Sequence, residues 1–366
     1  MEFQIDRDIF LQGIGMVSAV VSQKPNTLPI LGNILVETLP SGEIYLMGTD
    51  LELGISTQLS TNHATEGAIT LPAKKIHEIL REIPSGLVEV TVAKNNAVNI
   101  KTGRAQFKIM GLTKDDFPKP PEVDLLNAIE IEQGTLKECL NLTSFAVSRD
   151  ETRYVLNGVY VEIKESKLRL VATDGRRLAM VEKDLPQPIP TPTEMIIPNK
   201  AAQELCRILG LEGTVKIVPG KNQVTFHLGK TILTSRLIEG RFPNYEQVVP
   251  KEEKITCSVR REDLQQAVRR ANLLTSPDSQ LVKFDFLKDR VLVSSRTPNL
   301  GESREEITAE VKGGELAIGF NPGYLLDVLK NLNIETVVLS LTEPDKPGVV
   351  RGWDRYCYVV MPMQLN

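Results

Sequence analysis

Leu71-Pro72-Ala73-Lys74-Lys75-Ile76-His77-Glu78-Ile79-Leu80 decides the fold, because Ile197-Pro198-Asn199-Lys200-Ala201-Ala202-Gln203-Glu204-Leu205-Cys206 answers it 126 residues later. Two further pairs keep nearly the same offset. Gly48-Thr49-Asp50 returns as Ala172-Thr173-Asp174 after 124 residues, and Asp116-Phe117-Pro118 as Arg241-Phe242-Pro243 after 125. Collinear anchors at one period mark a repeated unit. A more diverged third copy runs from Ile255 to the C-terminus, with Phe320-Asn321-Pro322-Gly323-Tyr324-Leu325 in the helix position and Tyr358-Val359-Val360-Met361-Pro362 in that of the closing strand. Three copies fill the 366 residues, as domains at 1–121, 122–250 and 251–366. Proline and charge interrupt the pattern at Lys119-Pro120-Pro121 and Pro250-Lys251-Glu252-Glu253.

Each copy reads as two half-units of one pattern. In the first, alternating Phe3 and Ile5 lead into Ile9, Phe10, Gly13, Ile14, Met16, Val17, Val20 and Val21 at helical spacing, then into strand-like runs at 34–37, 44–47 and 53–57. The second half repeats the order. A short strand at 68–71 precedes a helix that starts at Pro72, where a missing N–H does no harm, and ends at Pro84-Ser85-Gly86; alternating runs follow at 87–92, 97–101 and 106–109. Strand, helix and three strands, twice per copy, predict three similar α+β domains with antiparallel sheets on one side and two helices on the other. The helices are placed at 6–22, 72–83, 132–149, 198–208, 260–276 and 321–331.

Composition excludes several classes. Apolar residues are 41% and charged residues 25% of the chain, which suits a folded core and excludes a disordered or collagenous chain. With 43 Lys and Arg against 47 Asp and Glu, the net charge is −4, so any affinity for nucleic acid has to be local. The six helical stretches carry 13 basic and 10 acidic residues and the remainder 30 and 37, the sign expected if helices face a polyanion. The densest basic group is Arg260, Arg261, Arg269 and Arg270 on one helix, with Lys74, Lys75 and Arg81 on another. Cys139, Cys206, Cys257 and Cys357 stand far apart, which excludes a disulfide framework or a C-x-x-C zinc site and reads as buried thiols. The N-terminus has no basic-then-apolar leader and no run is apolar enough to span a bilayer, so a cytoplasmic protein without membrane contact is expected.

Catalytic signatures fail on inspection. Gly229-Lys230-Thr231 ends like a phosphate-binding loop, but Val224 stands where the first glycine is needed and the region alternates like a strand, so it reads as a turn. His77-Glu78 is followed by Arg81 where a zinc protease needs histidine. His63, His77 and His227 stand in unrelated contexts, and neither a cofactor nor a metal centre is expected. The repeat-equivalent carboxylates Asp50 and Asp174 are better explained by turn hydrogen bonds than by catalysis. One enzymatic reading stays open, a metal-dependent phosphoesterase that uses both.

Six runs carry a specific resemblance. Leu28-Pro29-Ile30-Leu31-Gly32-Asn33-Ile34, Gly48-Thr49-Asp50-Leu51-Glu52, Arg153-Tyr154-Val155-Leu156-Asn157-Gly158, Ala172-Thr173-Asp174-Gly175-Arg176-Arg177-Leu178, Gly240-Arg241-Phe242-Pro243-Asn244-Tyr245 and Tyr358-Val359-Val360-Met361-Pro362-Met363 are collinear over the whole chain. Together they resemble the bacterial sliding-clamp family, the β subunits of DNA polymerase III. The resemblance implies a non-catalytic processivity factor of three domains that pairs head to tail, as a homodimeric ring of six domains, around double-stranded DNA, with helices inside and sheets outside.

The resemblance further implies a groove between the second and third domains. It would take short extended peptides with apolar anchors, carried by the polymerase III α subunit, the clamp loader, other DNA polymerases, ligase and mismatch-repair proteins. The matching residues are Leu156, Thr173, Gly175, Arg176, Arg177, Leu178, Pro243, Val248, Val360, Met361, Pro362 and Met363. Such Leu, Val, Pro and Met side chains make an adaptable apolar pocket, with Arg153, Arg176 and Arg177 reaching peptide carbonyls or carboxylates from the rim. For DNA, Lys24, Arg149, Arg153 and Tyr154 fall in the matching loops, where cations touch phosphates without reading bases. For the dimer, Lys74, Arg104, Phe107 and Ile109 would meet Leu273, Leu274, Glu302, Glu305 and Glu306, an apolar contact flanked by opposite charges. The sequence departs from the family's pattern at Gln247, where a basic residue is frequent, at Arg176, where histidine is common, and in the length of the 343–348 turn. A peptide-binding scaffold that never encircles DNA is the remaining alternative.

Overall fold

The half-unit read from the sequence is built six times. The computed structural model describes residues 1–21, 28–119, 124–189, 191–276, 280–298, 300–352 and 355–365. The first copy runs β1 (Glu2–Asp6), α1 (Arg7–Ser18), β2 (Asn33–Thr38), β3 (Ile44–Thr49), β4 (Leu53–Leu59), then β5 (His63–Thr65), β6 (Ala68–Pro72), α2 (Ala73–Glu82), β7 (Leu87–Val92), β8 (Ala97–Thr102) and β9 (Ala105–Met110). The second runs β10 (Ile129–Glu132), α3 (Gln133–Thr143), β11 (Gly158–Lys164), β12 (Lys167–Thr173), β13 (Arg177–Asp184), then β14 (Thr193–Pro198), α4 (Asn199–Ile208), β15 (Thr214–Pro219), β16 (Gln223–Leu228) and β17 (Thr231–Arg236). The third runs β18 (Ile255–Arg260), α5 (Arg261–Asn272), β19 (Val282–Leu287), β20 (Arg290–Thr297), β21 (Gly301–Lys312), then β22 (Leu316–Phe320), α6 (Pro322–Asn331), β23 (Thr336–Leu341), β24 (Gly348–Arg351) and β25 (Cys357–Val360).

Each helix buries one stripe. In α1 the buried residues are Phe10, Gly13, Ile14 and Val17, and in α5 they are Leu264, Ala267, Val268 and Ala271, the same i, i+3, i+4, i+7 spacing. Asp6 caps α1 by accepting from the Asp8 and Ile9 amides, and Asn321 caps α6 by accepting from Gly323. α1 packs on β3 and β4 so closely that a Cβ at Gly48 would lie 2.2 Å from the Val17 carbonyl oxygen, which fixes glycine there. Four expectations needed correction. α5, placed as far as 276, stops at Asn272. α1 stops at Ser18, although Val20 and Val21 remain buried, because apolar spacing reports burial and continues into the following turn. α3 stops at Thr143 and tightens into a 3₁₀ turn over Ser144–Ala146. Cys206 is half-buried, whereas Cys139, Cys257 and Cys357 are buried; burial pushes the Cys139 and Cys257 thiols up to about 12, so both are inert.

All named strand pairs are antiparallel, and the opening strand of each half-unit crosses to the other half. β1 pairs β7 and β6 pairs β2, β10 pairs β15 and β14 pairs β11, β18 pairs β23 and β22 pairs β19. Sheets then run on through consecutive copies. β4 pairs β17, with Leu53 opposite Ser235, inside the eight-stranded sheet β10-β15-β16-β17-β4-β3-β2-β6. β13 pairs β25, with Arg177 opposite Val360, inside the twelve-stranded sheet β14-β11-β12-β13-β25-β24-β23-β18-β21-β20-β19-β22. β9 ends the five-stranded sheet β5-β1-β7-β8-β9 with one side unpaired. These shared ladders explain why contacts divide the chain into two compact units, 1–134 with 203–237 and 135–202 with 238–366, neither of which coincides with one repeat.

Candidate functional site

The turn from β12 into β13 organises the site. Asp174 Oδ1 accepts from the amides of Arg176 at 2.9 Å and Arg177 at 3.0 Å, while Thr173 Oγ1 accepts from Gly175 N at 3.1 Å and donates to the Arg177 carbonyl at 2.6 Å. Gly175 takes φ +85°, in the left-handed region. Asp50 does the same work in the first copy, with Oδ1 accepting from Glu52 N at 3.0 Å and Leu53 N at 2.8 Å. Both carboxylates therefore act as turn formers. Among the described residues, no group of three or more His, Cys, Asp or Glu side chains is placed to hold a metal ion.

The expected groove residues lie in two tiers of one unit. Leu156 and Leu178 are buried in a cluster with Val171, Phe242 and Val359, and Val360 is 1% exposed in register with Arg177, so this set forms a floor. Pro243, Val248 and Met361 are exposed at the surface, and Pro362 and Met363 are half-buried. The C-terminal segment is tied down by two backbone bonds. Met361 N donates to the Arg176 carbonyl at 2.9 Å and Met363 N to that of Gly319 at 2.8 Å. Apolar side chains beside a short 3₁₀ turn at Tyr245–Val248 offer what an extended ligand with apolar anchors needs.

The three arginines expected at the rim have different surroundings. Arg176 is exposed, and the Arg153 guanidinium lies over the Gly175 turn, with Nη1 3.4 Å from the Asp174 carbonyl oxygen. Arg177 is the correction. Its Nε donates to Asp174 at 3.1 Å, Nη1 to Asp327 at 2.6 Å and Nη2 to the Phe145 carbonyl at 2.7 Å, with the guanidinium 4.6 Å from the Tyr324 ring centroid. Only 9% of that side chain is exposed, so its donors are already engaged within the fold. It is a strut, with three of its five N–H groups spent inside the fold.

Of the residues expected to contact DNA, Arg149, Arg153 and Tyr154 are exposed, and Lys24 lies outside the described residues. The basic helix is thinner in free charge than its sequence suggests. In α5, Arg261 donates to the carbonyls of Ile334 and Leu329, and the exposed Arg270 forms a two-pronged pair with Glu305; Arg260, just before the helix, pairs with Asp263 at 3.7 Å, and Arg269 is exposed. Of the expected dimer residues, Lys74, Arg104, Leu273, Glu302 and Glu306 are exposed, and Phe107, Ile109, Leu274 and Glu305 are half-buried. Strand alternation separates the three glutamates: Glu305 turns toward Arg270, and Glu302 and Glu306 turn to the opposite face of β21.

Residues 1–121, 130–244 and 246–364 match the family models described as the N-terminal, central and C-terminal domains of the DNA polymerase III beta subunit. The chain belongs to the DNA polymerase III beta subunit family. It is 34% identical over 370 residues to the beta sliding clamp of Proteus mirabilis and 32% identical over 369 residues to that of Escherichia coli K12, covering all of both chains in each case. Among solved structures it superposes on the Pseudomonas aeruginosa sliding clamp bound to griselimycin with a TM-score of 0.94 at 34% identity, and on the Bacillus subtilis DNA polymerase sliding clamp with a TM-score of 0.94 at 30%, again over full length. The function of the family is that of a DNA sliding clamp, the non-catalytic processivity subunit of DNA polymerase III.

Several residues that shape the candidate groove carry no signal in the sequence. Tyr324 and Asp327, one turn apart on α6, receive Arg177, and Phe145 supplies its carbonyl acceptor. Arg169 on β12 donates to Tyr245 Oη at 3.0 Å and to Glu182 at 2.6 Å, so it ties the wall that carries Val248 to the sheet beneath. Arg169, Lys167 and Arg355 surround Glu182 and hold its carboxyl down to about 2 against a burial that alone would raise it. Arg169 and Glu182 meet across the β12–β13 pair, a contact that strand alternation in the sequence does not announce.

Proposed function

We propose that this chain closes head to tail with a second copy into a ring around double-stranded DNA. The observation that carries this reading is a pair of strand edges. Within the chain, the last strand of one half-unit pairs the last strand of another at β4 with β17 and at β13 with β25. The third such pair is unmade among the described residues: there β9 has one unpaired side, and residues 301–308 of β21 pair only β20, since β18 takes 309–312. Edges of this kind seek a partner, and β9 meeting β21 of another copy continues the same junction. Phe107, Ile109, Leu273 and Leu274 supply its apolar contact, with Lys74 and Arg104 opposite Glu302 and Glu306.

Domains at 1–121, 122–250 and 251–366 would then make six around the duplex. Arg149, Arg153, Tyr154 and Lys24 would touch phosphates without reading bases, so that topology and not affinity keeps the ring in place. The two-tier groove of Leu156, Leu178, Pro243, Val248, Val360, Met361 and Met363, rimmed by Arg153 and Arg176, takes extended peptides of the polymerase III α subunit, the clamp loader, other polymerases, ligase and mismatch-repair proteins in the cytoplasm. The test is retention on nicked circular DNA after treatment with a cognate loader and ATP, followed by one restriction cut. Retention on the circle and rapid loss on linearisation is the expected result. Persistence on the linear product, or no loading by an active loader, would favour a scaffold that never encircles DNA.

A further inference from the structure

A second groove, built like the first, lies in the unit that contains the first copy. A cavity of about 1070 Å³ opens on the face of the eight-stranded sheet, where β2, β3, β4, β16 and β17 meet the Phe117-Pro118 segment. Its frame repeats that of the candidate peptide groove bond for bond. Thr49 Oγ1 accepts from Leu51 N at 3.0 Å and donates to the Leu53 carbonyl at 3.0 Å, as Thr173 does for Gly175 and Arg177. Arg236 N donates to the Glu52 carbonyl at 2.8 Å, as Met361 N donates to Arg176 at 2.9 Å. The buried cluster of Leu31, Leu35, Met47 and Phe117 stands where Leu156, Tyr160, Val171 and Phe242 stand in the other unit.

The frame is shared and the rim is rewritten. Where the candidate peptide groove has Gly175 and Arg176, this one has Leu51 and Glu52, so at this turn a cation is exchanged for a carboxylate and an apolar side chain is added, while elsewhere in the lining Lys114, Lys119 and Arg236 stand with Glu37 and Asp115. Leu51 is held at φ +79°, a conformation that costs a leucine about 1 kcal/mol, with 47% of its surface exposed at the cavity. His227 lines the same cavity with a buried Nε2 that has no hydrogen-bond partner among the described residues. Burial, with Lys216 nearby, lowers its pKa and favours the neutral imidazole.

We propose that this cavity binds a second class of extended peptide, with apolar anchors and a lysine or arginine at the end that meets Glu52. The inference rests on the peptide-groove reading above for the kind of ligand, and on the charge reversal from Arg176 to Glu52 for its sign. Met47 lines this cavity and Met361 the other groove, so their methyl groups report separately. The experiment titrates the full-length protein, labelled at its methionine methyls, with two octapeptide pools of apolar pairs, one flanked by lysines and the other by glutamates. The lysine pool should move the Met47 resonance and leave Met361 in place, and Glu52→Lys should weaken that response about tenfold while the rest of the methyl spectrum stays unchanged. No movement of Met47 at about 1 mM peptide, or movement of Met361 alone, overturns the proposal. The glutamate pool tests the underlying reading independently: if it fails to move Met361 while the lysine pool moves Met47, the first groove's assignment falls and the second stands.

Discussion

Arg177 holds together three parts of the fold: the Asp174 turn, helix α6 through Asp327 and the 3₁₀ turn after α3 through Phe145. Removing it strands two carboxylates and a carbonyl, so Arg177→Met should cost about 2 to 3 kcal/mol in urea unfolding and should loosen the groove without deleting any contact to a peptide. Arg176→Ala, on the exposed side of the same turn, should leave the unfolding midpoint within error and weaken only peptides with acidic flanks. Glu182 is the residue to titrate. Its carboxyl is depressed in the folded state from the ordinary 4.5 to about 2, so the stability it contributes is complete above pH 4.5 and drains away as the pH falls toward 2. Glu182→Gln should therefore melt lower than the parent at neutral pH, and the gap should close across that acid window. A constant gap in melting temperature down to pH 2 would show that the Arg169, Lys167 and Arg355 pairs add nothing.

At the scale of elements, the two repeat-equivalent turns make reciprocal demands. Leu51 sits at φ +79° where glycine is favoured, and Gly175 sits at φ +85° where glycine is present. Leu51→Gly should raise stability by up to about 1 kcal/mol and Gly175→Leu should lower it by about 1 to 2 kcal/mol, both read from denaturant midpoints. The same turns show what the sequence could and could not reveal. Alternation placed β7 on its exact residues, 87–92, and the strand-helix-three-strand order held in all six half-units, because burial on one face leaves a period in the sequence. β5 was invisible, since His63-Ala64-Thr65 pairs β1 through its backbone without burying an apolar face. The candidate groove floor came from the family resemblance and not from spacing, and Arg177 looked like a rim cation until Asp327 and Tyr324, 150 and 147 residues further on, were seen to receive it. Long-range partners of that kind carry no local spacing to read.

At the scale of the molecule, two copies should be held by one repeated junction. Leu273 is 76% exposed in the single chain and Leu274 half-buried, so Leu273→Asp with Leu274→Asp should give a folded monomer with an unchanged melting curve. Light scattering at micromolar protein decides this, and an unaltered dimer mass would reject the assignment. The ladder between β13 and β25 has another consequence, one of timing. β13 ends at Asp184 and its partner begins at Cys357, at the far end of the chain. During synthesis the newborn sheet therefore waits, one hydrogen-bonding edge bare, for on the order of 10 to 30 s at ordinary translation speeds, whereas β17 finds β4 already made. That waiting edge is where chaperone protection, or its failure in heterologous expression, should first be felt.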